Sequence, residues 1–90
     1  MLKILEELTL IIRDRKKNPV DLSYTNKLLN DKSLSVEKVK EEISELIEAV
    51  DKNSNKIHEA ADVLYHLFVY LEANEVKIED VMQELEKRKK

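Results

Sequence analysis

Ninety residues predict one domain over 1–90, with no room for a second independent core. Sixteen Lys and Arg stand against 19 Asp and Glu, a net charge of −3, and this interspersed balance excludes the basic face of a nucleic-acid binder. The absence of cysteine excludes disulfides, thiolate zinc sites and cysteine nucleophiles, and the absence of glycine excludes glycine-rich phosphate loops.

With one proline and no glycine, few turn or strand signals remain, and the composition predicts an all-α protein. Any phosphate must then be held by side chains, helix N-termini or a metal ion. The N-terminal stretch MLKILEELTLIIRDRKK carries acids within its apolar run, unlike a signal peptide. No apolar run approaches the ~20 residues of a membrane span. The reading is a soluble cytoplasmic protein with no membrane partner.

Periodicity predicts a first helix from Leu2 to about Lys17, with Leu5, Leu8, Ile11 and Ile12 at helical spacing. Asn18-Pro19 ends it, because the residue before proline is pushed out of the α region. Asp21 or Ser23 caps a short second helix that reaches about Asn30, and Asn30–Ser33 reads as a loop. Ser35 is the expected N-cap of a third helix running to about Val50, with Val36, Val39, Ile43, Leu46, Ile47 and Val50 on one stripe. After the loop Asp51–Asn55, a fourth helix covers about Lys56 to Ala73 and a fifth about Ile78 to Lys87, ahead of a frayed basic tail. Short loops between amphipathic helices predict a bundle of four to five helices, with helices three and four as its central antiparallel hairpin.

The polar residues of that hairpin stand out. Glu42 lies beside the apolar stripe of helix three rather than opposite it, with Glu45 one turn further on the same side. Helix four is apolar around nearly its whole circumference, yet Glu59, Asp62 and His66 line one narrow face. The bland reading puts Glu59 and Asp62 on a solvated first turn, where acids suit the helix dipole. Against it, two carboxylate pairs of equal spacing occur on consecutive helices, and an antiparallel hairpin can bring them face to face. Four such carboxylates repel unless a divalent cation sits between them, and oxygen-only ligands call for Mg²⁺, with Mn²⁺ as a substitute. Neither helix offers the Glu-x-x-His pair of a di-iron bundle.

These residues resemble the all-α NTP pyrophosphatases, whose signature is E-E-x-x-E, a spacer, then E-x-x-D. Here it reads Glu41-Glu42-Ile43-Ser44-Glu45 and Glu59-Ala60-Ala61-Asp62. Within that group the resemblance is to the phosphoribosyl-ATP pyrophosphatase family. The matching features are Ser23-Tyr24-Thr25 with Leu28-Leu29, Lys38-Val39 before the paired glutamates, and Glu59-Ala60-Ala61-Asp62 running on to Tyr65-His66. Arg13 and Arg88 also fit, and the resemblance covers nearly the whole chain. Where that family usually has glycine, after the paired leucines and before the glutamates, this chain has Lys32 nearby and Lys40.

The resemblance implies hydrolysis of phosphoribosyl-ATP to phosphoribosyl-AMP and pyrophosphate, the second step of histidine biosynthesis. Glu42, Glu45, Glu59 and Asp62 would be metal ligands. Glu41 and Glu42 would be the catalytic carboxylates, Glu41 orienting water or standing as a solvated charge. Arg13, Ser23, Tyr24, Thr25, Lys38, Tyr65 and His66 would bind substrate.

Each of these has a plainer role. Lys38 can pair with Glu42, Ser23 can be a helix cap, Arg13 can flank the first stripe, Tyr24 and Tyr65 can be core aromatics, and His66 a satisfied core histidine. Two other functions share the pattern: a house-cleaning pyrophosphatase for other nucleoside triphosphates, and a non-enzymatic helical module. A homodimer is expected because Val63, Val69 and Tyr70 lie off the Leu64–Leu71 stripe and need partners of their own, and because members of the family are dimers.

Overall fold

The structure is a computed structural model that describes residues 1–89. It holds five helices: α1 (Lys3–Lys17), α2 (Tyr24–Asn30), α3 (Lys32–Lys52), α4 (Lys56–Ala73) and α5 (Ile78–Arg88). The all-α reading holds, and among the described residues there is no strand. Among the described residues no helix is long and apolar enough to cross a membrane.

The α3–α4 hairpin is the backbone of the fold, and α2 packs across α4 to complete the layer that carries the candidate site. Its turn is made without glycine. Asn53 and Asn55 both take left-handed conformations, φ 52° and 56°, which asparagine tolerates better than most residues. The Asn53 N–H donates to the carbonyls of Ala49 and Val50 and the Ser54 N–H to that of Ala49, a Schellman closure that satisfies the last carbonyls of α3. The core is small: Ile12 from α1, Leu28 from α2, Phe68 and Val69 from α4, and Ile78 from α5. Leu5, Leu8, Leu29, Leu34, Tyr65 and Leu71 pack around it.

Three expectations are corrected. The N-cap of α3 is Asp31, not Ser35: Asp31 Oδ1 accepts the Leu34 N–H at 3.0 Å, so the helix begins within the expected loop and Ser35 lies inside it, 1% exposed. At its other end α3 continues to Lys52, two residues past Val50, because Asn53 rather than Val50 makes the C-cap. The third correction concerns the apolar stripes. Ile11, Ile43, Ile47 and Val50 are exposed within the chain, as is Leu64, whereas Val69 is wholly buried. The free apolar face of α4 is therefore the one bearing Ile57 and Leu64, not the one bearing Val69.

Ser23 does cap α2, its hydroxyl accepting the Asn26 N–H at 3.3 Å. Asn26 fixes the preceding loop through its side chain, which accepts from the Val20 N–H and donates to the Arg15 carbonyl. Those bonds set α2 at the angle that brings Tyr24 and Thr25 to α4.

Candidate metal and phosphate site

The hairpin register places the carboxylates. Moving three residues along α3, from Glu42 to Glu45, corresponds to moving three back along α4, from Asp62 to Glu59. Glu42 accordingly feels the charge of Asp62, and Glu59 that of Glu45. On α3 one oxygen from each of Glu41, Glu42 and Glu45 lies within 4.8 Å of the other two. On α4 the same holds for ligand atoms of His58, Glu59 and Asp62. The carboxylates expected to share one site thus face each other in pairs across the hairpin, Glu42 toward Asp62 and Glu45 toward Glu59, while the groups within 4.8 Å each stay on one helix.

Their environment is costly for charge. Glu42 is 8% exposed, and its Oε2 is buried without a hydrogen-bond partner, as is Oε2 of Glu59. Burial, then the negative charge of Glu45, pushes the Glu42 carboxyl above the usual carboxylate range. Burial and Glu45 also push Glu59 upward. Buried acceptors without donors lose hydration and gain nothing in return. An oxygen-only donor set with two orphaned oxygens suits a hard divalent cation, and on that ground Mg²⁺ fits these residues.

Beside the carboxylates, α2 and α4 build an aromatic and hydroxyl cluster. The His66 Nδ1–H donates to the Asp62 carbonyl at 2.8 Å, since a carbonyl can only accept. Nε2 is then left to accept the Tyr24 hydroxyl at 3.0 Å. Thr25 and Tyr65 share a hydrogen bond between their hydroxyls. The rings of Tyr24 and Tyr65 stack, with centroids 6.3 Å apart, and both meet the His66 ring edge-on. One end of this cluster is thereby tied to a carboxylate-bearing turn of α4. His66 is buried, while Tyr24 keeps a substantial exposed face. Desolvation holds the Tyr24 hydroxyl above its ordinary pKa against the opposing charge of Lys38, which places Lys38 at the same edge.

Two residues behave differently from expectation. Lys38 pairs with Glu41 at 3.3 Å, not with Glu42, and that bond raises its pKa. Glu41 is consequently an exposed rim residue held by a lysine. Arg13 is corrected more firmly. Its guanidinium bridges Glu72 and Glu79, with Nε and Nη2 donating to Glu72 at 3.1 and 3.0 Å and Nη1 to Glu79 at 2.6 Å. Glu72 lies ten residues along α4 from Asp62, about 15 Å at 1.5 Å per residue. Arg13 therefore clasps α1, α4 and α5 together, remote from the carboxylates. Arg88 pairs with Glu84 one turn back on α5.

His58 was not among the expected site residues. Its Nε2 lies 3.4 Å from Asp62 Oδ2. The available signal was its position four residues before Asp62, which places both on one face of the helix.

Comparison with known proteins gives the chain's relatives. Residues 5–89 match the phosphoribosyl-ATP pyrophosphohydrolase family. The chain is similar to the phosphoribosyl-ATP pyrophosphatase of Clostridium novyi (strain NT), 47% identical over 97% of this chain and 82% of that protein. It is 39% identical to that of Methanococcoides burtonii, over 98% of this chain and 94% of the relative. It also aligns, at 43% identity over 99% of its length, with 43% of the histidine biosynthesis bifunctional protein HisIE of Pyrococcus furiosus. With the match running from α1 through α5 and the paired acidic signatures meeting across α3 and α4, the chain belongs to the phosphoribosyl-ATP pyrophosphohydrolase family.

Proposed function

We propose that this chain hydrolyses phosphoribosyl-ATP to phosphoribosyl-AMP and pyrophosphate, the second step of histidine biosynthesis, in the cytoplasm and with Mg²⁺ as cofactor. The observation that carries the reading is the meeting of Glu42 and Glu45 with Asp62 and Glu59, two of whose oxygens are buried and unpaired. Water attacks phosphorus, the α–β phosphoanhydride breaks, and pyrophosphate leaves; no protein nucleophile is required. Glu42, Glu45, Glu59 and Asp62 would hold Mg²⁺, and Mn²⁺ can substitute. When bound, the cation supplies neutralisation of phosphate charge and Lewis acidity at the reacting phosphorus.

The chain's own residues do the rest. Lys38, at the rim, offers a point charge for a phosphate oxygen once it exchanges Glu41 for the substrate. Glu41, released from that pair, would orient water. Tyr24 presents an exposed aromatic face and a hydroxyl anchored by His66, while Thr25 and Tyr65 fix the neighbouring wall, so substrate is received by a prearranged surface. Ser23 contributes by capping α2 and thereby positioning Tyr24.

The decisive assay follows pyrophosphate release from phosphoribosyl-ATP and from ordinary nucleoside triphosphates, with Mg²⁺ and with excess chelator. Release from phosphoribosyl-ATP at a kcat/KM far above the others, abolished by chelator, supports the reading. Equal use of common triphosphates would make the chain a house-cleaning enzyme instead. Full turnover in chelator would remove the metal from the reaction.

The working species is proposed to be a homodimer. Ile43, Ile47 and Val50 form one exposed stripe at i, i+4 and i+7 on α3, and Ile57, Ala61 and Leu64 form another on α4. The chain exposes 6897 Å², whereas a compact monomer of 10.6 kDa exposes about 5,500 Å². That excess exceeds the ~800 Å² per partner of a standard stable interface. A two-fold pairing of the α3–α4 hairpins buries both stripes at once.

A further inference from the structure

His58 has no packing role. Its side chain is 73% exposed, and its one polar contact is Asp62 Oδ2 at 3.4 Å. As a helix-surface contact with a carboxylate it contributes little. As a ligand the same placement is favourable. Residues four apart share one face of a helix, the spacing by which two histidines on one helix bind zinc. Ligand atoms of His58, Glu59 and Asp62 all lie within 4.8 Å of one another, a span one ion can bridge. A second observation points to a cation here: Glu42, nine-tenths buried and close enough to feel Asp62, carries an oxygen without a partner, as does Glu59 itself.

We propose that His58 is a nitrogen donor on the outer edge of the carboxylate site, turning part of an oxygen-only site into a mixed nitrogen–oxygen one that favours borderline divalent ions such as Co²⁺ and Zn²⁺ over Mg²⁺. The physical basis is ligand type. Mg²⁺ keeps to oxygen ligands and near-ideal octahedral geometry, whereas imidazole suits the later first-row ions. His58 is positioned to add its nitrogen to Glu59 and Asp62 without displacing either. The inference rests on the reading of Glu42, Glu45, Glu59 and Asp62 as a metal site and deepens it by assigning this chain's metal preference to one residue.

The test is equilibrium binding of Co²⁺ and of Mg²⁺ alone, by calorimetry, to the full chain and to its His58→Ala and His58→Gln variants. Proton NMR of the Co²⁺ forms accompanies it. Loss of groups that merely support a metal ligand costs 10–100-fold in affinity, so losing a direct ligand should lower the Co²⁺-to-Mg²⁺ affinity ratio by about tenfold or more. The native Co²⁺ form should also show a hyperfine-shifted, exchangeable imidazole N–H resonance that both variants lack. An exposed site makes both variants expected to fold, and circular dichroism checks this. Unchanged ratios and identical spectra would overturn the inference while leaving the carboxylate site standing. Retention of the native ratio by His58→Gln would also overturn it, because glutamine keeps only the hydrogen bond to Asp62. A chain that bound neither ion would overturn the carboxylate reading together with this one.

Discussion

Replacing Glu42 with glutamine should stabilise the metal-free protein while removing its response to Mg²⁺. The magnitude follows from the site. Glu42 and Glu45 place oxygens within 4.8 Å of each other, and two like charges at that distance repel by about 3.5 kcal/mol at an effective dielectric of 20 and by about 1 kcal/mol in water. Glu42 is 8% exposed but Glu45 is half-buried, so the pair sits between these limits, and Asp62 adds to the repulsion. The amide introduced has no ready-made partner where Oε2 had none, which costs about 1 kcal/mol. The net gain is about 1–2 kcal/mol, or a rise in Tm of roughly 5–15 °C for a domain of this size. Adding Mg²⁺ at about a hundred times its Kd stabilises the native chain by about 2.7 kcal/mol, and the variant by far less. The order of melting temperatures should therefore reverse between chelator and saturating Mg²⁺. Calorimetry or thermal circular dichroism in both conditions reads this directly. A Glu42→Gln protein that melts below the native chain in chelator, or that gains as much from Mg²⁺, refutes the account of Glu42 as a strained ligand.

Four other outcomes are expected. Arg13→Met leaves Glu72 buried without its guanidinium, and since Arg13 is itself partly exposed the loss is about 2–3 kcal/mol, a Tm fall of about 10–20 °C by calorimetry, with kcat per folded molecule little changed. In chelator the native stability depends on pH through carboxylates of opposite sign. Glu42 and Glu59, whose pKa values rise on folding, bind protons more tightly in the native state, so stability falls as pH rises from 4.5 through their native pKa values; Glu79, held at about 2 by Arg13, contributes stability above 4.5 that is lost as pH drops toward 2. Urea titrations across pH should thus peak in the mildly acidic range, and a monotonic rise to pH 8 would contradict the strained site. Tyr24→Phe removes the hydroxyl donated to His66 and should cost about 1 kcal/mol of stability and raise KM more than it lowers kcat, measured by initial rates. Ile47→Glu, placed in the exposed stripe of α3, should shift sedimentation equilibrium from dimer to monomer, and an unchanged dimer would locate the interface elsewhere.

Local signals in the chain were enough to reveal the helices and the pairing of acidic turns, because both are short-range. Helical periodicity needs only neighbours three and four residues away, and the register of a hairpin closed by a three-residue turn follows almost automatically. Asp31 against Ser35 shows where such reasoning stops. Both are good cap residues, and the choice was made by which one leaves the other inside the helix, where Ser35 is buried. Arg13 shows a different limit. Its partners Glu72 and Glu79 lie 59 and 66 residues away, and nothing in the spacing of a lone arginine says whether it meets a phosphate or a carboxylate.

The apolar stripes carry the same lesson in reverse. Periodicity identifies a face that avoids water without saying what covers it. Ile43, Ile47 and Val50 belong to the most regular stripe in the chain, yet they are left uncovered within it, whereas Val69, off the main stripe of α4, is wholly buried. The reason lies in the partition of α4's circumference. One side is taken by α1, α2 and α5 through Val69 and Phe68, another by α3, and the acidic face with its aromatic flank is reserved for the site. What a helix so divided leaves uncovered is Ile57 and Leu64 in its N-terminal half, exposed as Ile43, Ile47 and Val50 are on α3. The surface proposed to pair with a second copy and the surface that carries the carboxylates both belong to the α3–α4 hairpin. Pairing two chains through the first would brace the spacing of the second, so weakening the interface should loosen Mg²⁺ binding even though none of Ile43, Ile47 and Val50 is a ligand.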